Sequence, residues 1–368
     1  MGRGRLALLG VVVLATALIG ATPDPSNLHV NATGCGTPPD RLAAGPVAFT
    51  VANDATAFTA VYLINPAGDV YAEIPSLTPG KTLPLTTTLA AGRYALRCVF
   101  TNGTVRTSPP ITVTGTATGA VAGFAPLPDL DMTAPVNAYR NWVGGQLPGL
   151  LAACQQLAAD IDRGDLASAR TDWLAAHLDY ERLGAAYNSF GDFDDAIDGR
   201  ADGLPQGTAD PGWTGFHALE FALWHGGGNA AALAHGLLDS VNGLIADFPS
   251  EEVDPGDLPL RAHEILENAM QFQLTGIADY GSGTTLATLY ANTQGTAEVL
   301  SVLTPLITPR DPNLLHTINT DLATVQHAIT TDEQTPSTAV RQRLDGELGG
   351  LLEELAQLPN LLAPRTSG

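Results

Sequence analysis

The segment Trp213-Thr214-Gly215-Phe216-His217-Ala218-Leu219-Glu220-Phe221-Ala222-Leu223-Trp224 sets an imidazole and a carboxylate three residues apart inside an aromatic run. On a helical wheel at about 100° per residue, Trp213, Glu220 and Trp224 fall within roughly 60° of His217. Phe216, Phe221 and Leu223 lie in or beside the same arc. An ionised carboxylate on such a stripe is costly unless it is paired or bound to a metal. Alone, a His-x-x-Glu pair reads as a structural hydrogen bond, because i, i+3 pairs are common on helices. A second stretch shifts the balance. In Trp173-Leu174-Ala175-Ala176-His177-Leu178-Asp179-Tyr180-Glu181, Glu181 shares the arc of Trp173, Leu174, Leu178 and Tyr180, so another acid faces a surface that should be buried. His177, one turn earlier, reads as the i, i+4 partner of Glu181 rather than as a ligand.

Between these helices lies Gly191–Asp202, with Asp at 192, 194, 195, 198 and 202. That is more acid than a simple turn requires. It is not an EF-hand: Ala196 and Ile197 stand at the fifth and sixth positions, and no Glu stands at the twelfth. The segment reads as a loop of mostly solvated Asp, one or two of which could reach a site shared with the helices. Carboxylates with one or two imidazoles suit iron or manganese, and could also hold zinc. Other chemistries lack their residues. Arg261-Ala262-His263-Glu264-Ile265-Leu266-Glu267 has only the first half of a His-Glu-x-x-His motif and reads as an amphipathic helix with solvent-facing acids. There is no Gly-x-Ser-x-Gly elbow and no dinucleotide fingerprint. Cys154 sits in a hydrophobic helical run and reads as a core thiol.

The elements that must position these residues follow from length and charge. A chain of 368 residues suits two domains, and 45% hydrophobic residues can fill real cores. A net charge of −21 argues against nucleic acid and against docking on anionic lipid. Lys81 is the one lysine, which leaves little room for Schiff-base or P-loop chemistry. Residues 22–125 hold five acids and five bases, whereas residues 126–368 hold 33 acids against ten bases. Arg3 and Arg5 precede the uncharged run Leu6–Ala21, which reads as an export signal and is short for a membrane span. The protein is expected to be exported, to the periplasm or cell surface, with a membrane tether if the N-terminal segment stays uncleaved. Residues 1–26 are then signal and linker.

Residues 27–115 alternate short Val/Thr-rich runs (Val47–Val51, Ala60–Ile64, Thr82–Leu85, Arg93–Phe100, Ile111–Val113) with Gly/Pro/Asn turns, the pattern of an all-β sandwich. A Cys near the start, GPVAFTVAN in the middle and AGRYALRC near the end resemble cupredoxin-like domains. A blue-copper site needs two His and a Cys, usually with Met, yet His29 is the domain's only His and neither His nor Met follows Cys98 in it. A Cys35–Cys98 disulfide is therefore favoured over copper. Residues 116–128 read as a linker. From 129 to 368 the period changes to 3.6, with helices expected at Pro135–Ile161, Leu166–Ser189, Gly215–His225, Ala230–Ala246, Leu258–Thr275, Thr284–Thr304, Asn313–Thr330 and Ser337–Leu358. They make an all-α helical bundle, or two side by side.

Gly215-Phe216-His217-Ala218-Leu219-Glu220 resembles the His-x-x-Glu signature of the imelysin superfamily, and within it the EfeO branch of iron-uptake proteins. Tyr180-Glu181-Arg182, the run Phe190–Asp198, Arg261–Gly276 and Asn292-Thr293-Gln294-Gly295 match in order. The resemblance implies an exported component of an iron uptake system, working with a membrane permease and a haem peroxidase. It implies metal at His217 and Glu220, with acids from the Glu181 helix and the Asp-rich loop, where Asp198 is preferred and then Asp194. Iron is the expected ion, with zinc or manganese as alternatives. Two rival functions remain at this point: an imelysin-type metallopeptidase, and a module that binds an extracellular polymer or partner around a structural metal.

Overall fold

The computed structural model describes residues 26–128, 130–226, 229–331, 336–363 and 365. The expected export signal lies outside these residues. Among the described residues, no helix is long and apolar enough to cross a membrane. The chain divides after Ala125 into two compact units, a β-sandwich followed by an all-helical unit.

In the sandwich, one sheet has the order β2 (Gly34–Cys35), β1 (Ser26–Asn31), β4 (Gly45–Asn53), β7 (Thr82–Leu89). The other runs β3 (Arg41–Ala43), β10 (Ile111–Thr114), β8 (Gly92–Phe100), β5 (Thr59–Ile64), β6 (Val70–Leu77), with β9 (Val105–Thr107) paired to β8. Strand β4 alternates buried and exposed positions from Gly45 to Asn53, which puts Val47, Phe49 and Val51 in the core between the sheets. Cys35 and Cys98 form a disulfide that ties β2 of one sheet to β8 of the other across 63 residues of sequence. With both sulfurs bonded to each other, Cys98 has no thiolate to offer copper. Strand β6 goes unrecognised in the sequence because Pro75 and two register shifts against β5 blur its alternation. The expected linker is not wholly free: Val70 and Phe124 exchange backbone hydrogen bonds, and the Phe124 ring packs on Ala60, Tyr62 and Val99.

The helical unit contains α1 (Thr133–Asp162), α2 (Leu166–Glu181), α3 (Asp192–Asp198), α4 (Gly215–His225), α5 (Ala230–Asp247), α6 (Asp257–Asn268), α7 (Thr285–Ile307), α8 (Pro312–Thr331), α9 (Thr338–Leu355) and α10 (Leu358–Leu361). A hydrophobic core of buried side chains drawn from Leu127 to Leu362 ties these helices together. Helix α1 packs on α2 and α5, and α7 packs on α2, α6 and α8. Asp165 caps α2 by accepting from the Ser168 N–H, and Cys154 is a buried free thiol.

Two segments differ from expectation. The helix expected to reach Ser189 stops at Glu181 and continues as a tighter 3-10 turn at Gly184–Ser189. There the Tyr187 hydroxyl donates to the Tyr180 carbonyl, and the two rings stack at 4.9 Å. The Asp-rich stretch is not a loop: Asp192–Asp198 is helix α3. Asp192, Asp194 and Asp195 fill its first turn, where carboxylates favour a helix N-terminus.

Non-reducing peptide mapping should yield a Cys35–Cys98 linked pair and a free Cys154. Reduction should lower the stability of the β unit by about 2–4 kcal/mol, read as a shift of its urea midpoint. Two free thiols in the native protein, or an unmoved midpoint, would contradict the pairing.

Candidate metal centre

Three helices are locked together around one point. Trp173 of α2 donates from Nε1 to the Phe216 carbonyl of α4 at 2.9 Å, and its ring lies 4.9 Å from that of His177. Gly215 opens α4 with φ +83°, and a Cβ there would fall 2.2 Å from the Ile197 carbonyl oxygen. No other residue allows the start of α4 to approach the end of α3 so closely. Trp213 Nε1 donates to Gly199 O at 2.9 Å, and the Thr214 hydroxyl donates to Ala196 O at 3.2 Å. These bonds set Asp198, the last residue of α3, beside His217.

The result is a small buried group of nitrogen and oxygen atoms. His177 Nε2 lies 3.1 Å from Glu181 Oε1 and 3.2 Å from Asp198 Oδ1. His217 Nε2 lies 3.7 Å from the same Asp198 oxygen. One ligand atom from each of His177, Asp198 and His217 lies within 4.8 Å of the others. His177 Nε2, Glu181 Oε1 and Asp198 Oδ1 are buried without a hydrogen-bond partner of acceptable geometry. Donors bonded to a single ion at about 2.1 Å stand roughly 3.0–3.4 Å apart; the two spacings about His177 fall in that range, and the one between His217 and Asp198 is 3.7 Å.

The surrounding groups orient these atoms. Asn292 of α7 donates from Nδ2 to Glu181 Oε2 at 2.6 Å, which turns the other carboxylate oxygen toward His177. Gly295, one turn later, lets α7 lie against the end of α2: a Cβ there would meet Arg182 O at 2.5 Å. On the far side of the His217 ring, Nδ1 lies 3.5 Å from Glu220 Oε2. The other Glu220 oxygen accepts from the Tyr280 N–H at 3.1 Å and the Ser282 N–H at 2.9 Å. Glu220, expected among the ligands, holds its carboxylate on the Nδ1 side of the His217 ring, with one oxygen on the backbone at residues 280 and 282. Asp194 points elsewhere too, accepting from the Tyr180 hydroxyl at 2.7 Å.

Electrostatics follow from burial and these neighbours. Burial alone would lower the His177 pKa, but the Asp198 and Glu181 carboxylates overcome it and push it up to about 10. Burial would raise the Asp198 carboxyl, yet the imidazoles of His217 and His177 hold it below its usual range. Glu220 is likewise held low against burial by His217 and Ser282. Asp194 is pushed up to about 7, chiefly by burial and despite the Tyr180 hydrogen bond. A cavity of about 750 Å³ opens onto the group, with Glu181, Asp198 and His217 in its lining and Asp194, Asp195 and Asp202 nearby on its walls.

Of the residues singled out from the sequence, His217, Glu181 and Asp198 come together here. His177 does pair with Glu181 as read, but it also reaches Asp198, and its ring centroid is 5.4 Å from that of His217. Its position one turn from both Trp173 and Glu181 was the available signal. Asn292 stood out only within the Asn292–Gly295 run that carries the resemblance; its pairing with Glu181, 111 residues away, was not readable.

Residues 135–250 match the imelysin (peptidase M75) family model. The chain is 28% identical over 305 residues to "Iron uptake system component EfeO" of Yersinia pseudotuberculosis, covering 80% of this chain and 79% of that protein. It is 28% identical over 308 residues to the protein of the same name from Escherichia coli K12, covering 80% of each. Residues 135–250 are thus similar to the imelysin family, in a chain similar to EfeO proteins over most of its length.

Gly215→Ala should be strongly destabilising, because it combines positive φ with a backbone clash. We expect a loss of about 2 kcal/mol or more in denaturant unfolding. Gly226→Ala also places a side chain at positive φ, but it has open space around it and should cost less. Equal effects of the two changes would contradict the close approach of α3 and α4.

Proposed function

We propose that this chain, an imelysin-superfamily protein of the EfeO type, is an exported iron-binding component of an uptake system. It holds the ion for delivery to a membrane permease, with a haem peroxidase as a further partner, and it is not itself an enzyme. The observation that carries this reading is the convergence of one ligand atom each from His177, Asp198 and His217 within 4.8 Å of one another, with Glu181 Oε1 3.1 Å from His177 Nε2. Two imidazoles and two carboxylates suit iron or manganese and would also take zinc. We assign those four residues as ligands. Glu220 acts through His217: a carboxylate on Nδ1 fixes the ring and leaves Nε2 free for the ion. Asp194, Asp195 and Asp202 give the cavity an acidic lining that draws cations inward. The names of the relatives support iron as the cargo. The uncharged run behind Arg3 and Arg5 supports export. A tether through that segment is compatible with the same role.

Calorimetric titration with iron, manganese and zinc tests the assignment. His177→Ala, Asp198→Ala and His217→Ala should each lose most of the affinity, and Glu181→Ala a substantial part. Glu220→Gln should weaken binding less, by about 10–100-fold, as expected for a residue that orients a ligand. Asp239→Ala and Glu353→Ala, both exposed and outside the cavity, serve as surface controls and should bind normally. Unchanged affinity in both His177→Ala and His217→Ala would overturn the site. Peptide cleavage that exceeds a His217→Ala control and depends on zinc would favour a metallopeptidase instead.

Proton linkage provides a second test. In the metal-free protein His177 keeps its proton up to about pH 10, so an ion must displace it at neutral pH. Binding should release about one proton, and apparent affinity should fall about tenfold per unit as pH drops from 8 to 6. Affinity independent of pH across that window would show that His177 is not a ligand.

A further inference from the structure

The cavity that opens on the metal group has two guanidinium groups in an otherwise acidic lining, Arg200 and Arg261. A site that only gathers cations gains nothing from them. Arg200 follows Asp198 by two residues, and its charge is one of the influences that hold that carboxyl low. Its guanidinium lies 3.4 Å from the centroid of the Phe272 ring, which fixes it by cation–π contact. Its carboxylate partner is exposed Asp202, whose Oδ2 lies 3.6 Å from Nε. Arg261, from α6, pairs through Nη1 with Glu264 at 2.6 Å, while its Nε is buried without a partner. Phe272 belongs to a single π-helical turn at Ala269–Gln273, an irregularity common at functional sites. Of the cavity's acids, Glu181 and Asp198 face the imidazoles, Asp194 is engaged by Tyr180, and Asp195 and Asp202 are exposed.

Coordination chemistry gives these arginines a task. Four protein donors close the sphere of a tetrahedral ion but leave two positions of an octahedral one. We infer that the ion is held as a mixed complex, in which a small bidentate oxygen anion, carbonate or a short dicarboxylate, completes the metal's sphere and is gripped by Arg200 and Arg261. This rests on the ligand assignment proposed above. Arginine suits the role because its planar fork matches a carboxylate edge with two parallel hydrogen bonds. The anion also offsets the charge of the ion, so the complex leaves less net charge to bury.

The test is titration of the whole chain with manganese and with zinc, in bicarbonate-free buffer and again with millimolar bicarbonate or oxalate. After correction for anion–metal binding in solution, either anion should raise manganese affinity about tenfold or more, equivalent to about 1.4 kcal/mol. Zinc, already satisfied by four donors, should gain little. Arg261→Gln should keep the anion-free manganese affinity and lose the anion effect, and Arg200→Gln should lose the anion effect as well, with circular dichroism confirming that both fold. Manganese binding that neither anion strengthens would overturn this inference and leave the metal site standing. An anion effect that survives in both variants, or that is as large for zinc, would overturn it as well. Failure to bind metal under every condition would instead overturn the site beneath it.

Discussion

His177 Nε2 stands 3.1 Å from one buried carboxylate oxygen and 3.2 Å from another, and a single N–H cannot serve both. Leaving a buried carboxylate unsatisfied costs several kcal/mol, so the fold has to bear that cost or bind something that removes it. Protonation of His177 removes part of it, as the upward push on its pKa indicates. On the ligand assignment proposed above, a divalent or trivalent cation would remove more, and would compete with the proton for the same nitrogen.

The rest of the helical unit reads as the scaffold that imposes this arrangement. Glycine at 215 lets α4 begin against the last turn of α3. Gly295 lets α7 approach the end of α2 closely enough for Asn292 to fix Glu181. The backbone at residues 280–282 fixes Glu220, which in turn fixes His217. Each contact lies between elements distant in sequence. The site therefore exists only when the bundle is folded, and its rigidity comes from the same core that stabilises the unit.

Much of this was legible before the structure. The division into a β unit and a helical unit followed from charge and periodicity, and the arcs holding His217, Glu181 and Glu220 followed from the helical wheel. Several things were not. Helix α3 was hidden because an Asp-rich run has low helix propensity; its formation depends on acids at the N-terminus and on Ile197 buried beneath them. His177 looked like half of a local pair, since one-dimensional spacing shows only the i, i+4 neighbour and not the carboxylate arriving from α3. A wheel gives the face on which Glu220 lies but not the side of the His217 ring its carboxylate takes, which is the Nδ1 side. Strand β6 was lost to Pro75 and to the bulges opposite it.

Anomalous diffraction from crystals of the iron-loaded protein, collected at the iron edge, tests the central claim most directly. The account predicts one dominant peak bonded to Nε2 of His177 and His217 and to carboxylate oxygens of Glu181 and Asp198, with Glu220 outside bonding distance on the Nδ1 side of His217. A peak bonded to Glu220 and not to His177, or ordered iron only on the exposed acids of the surface, would contradict it.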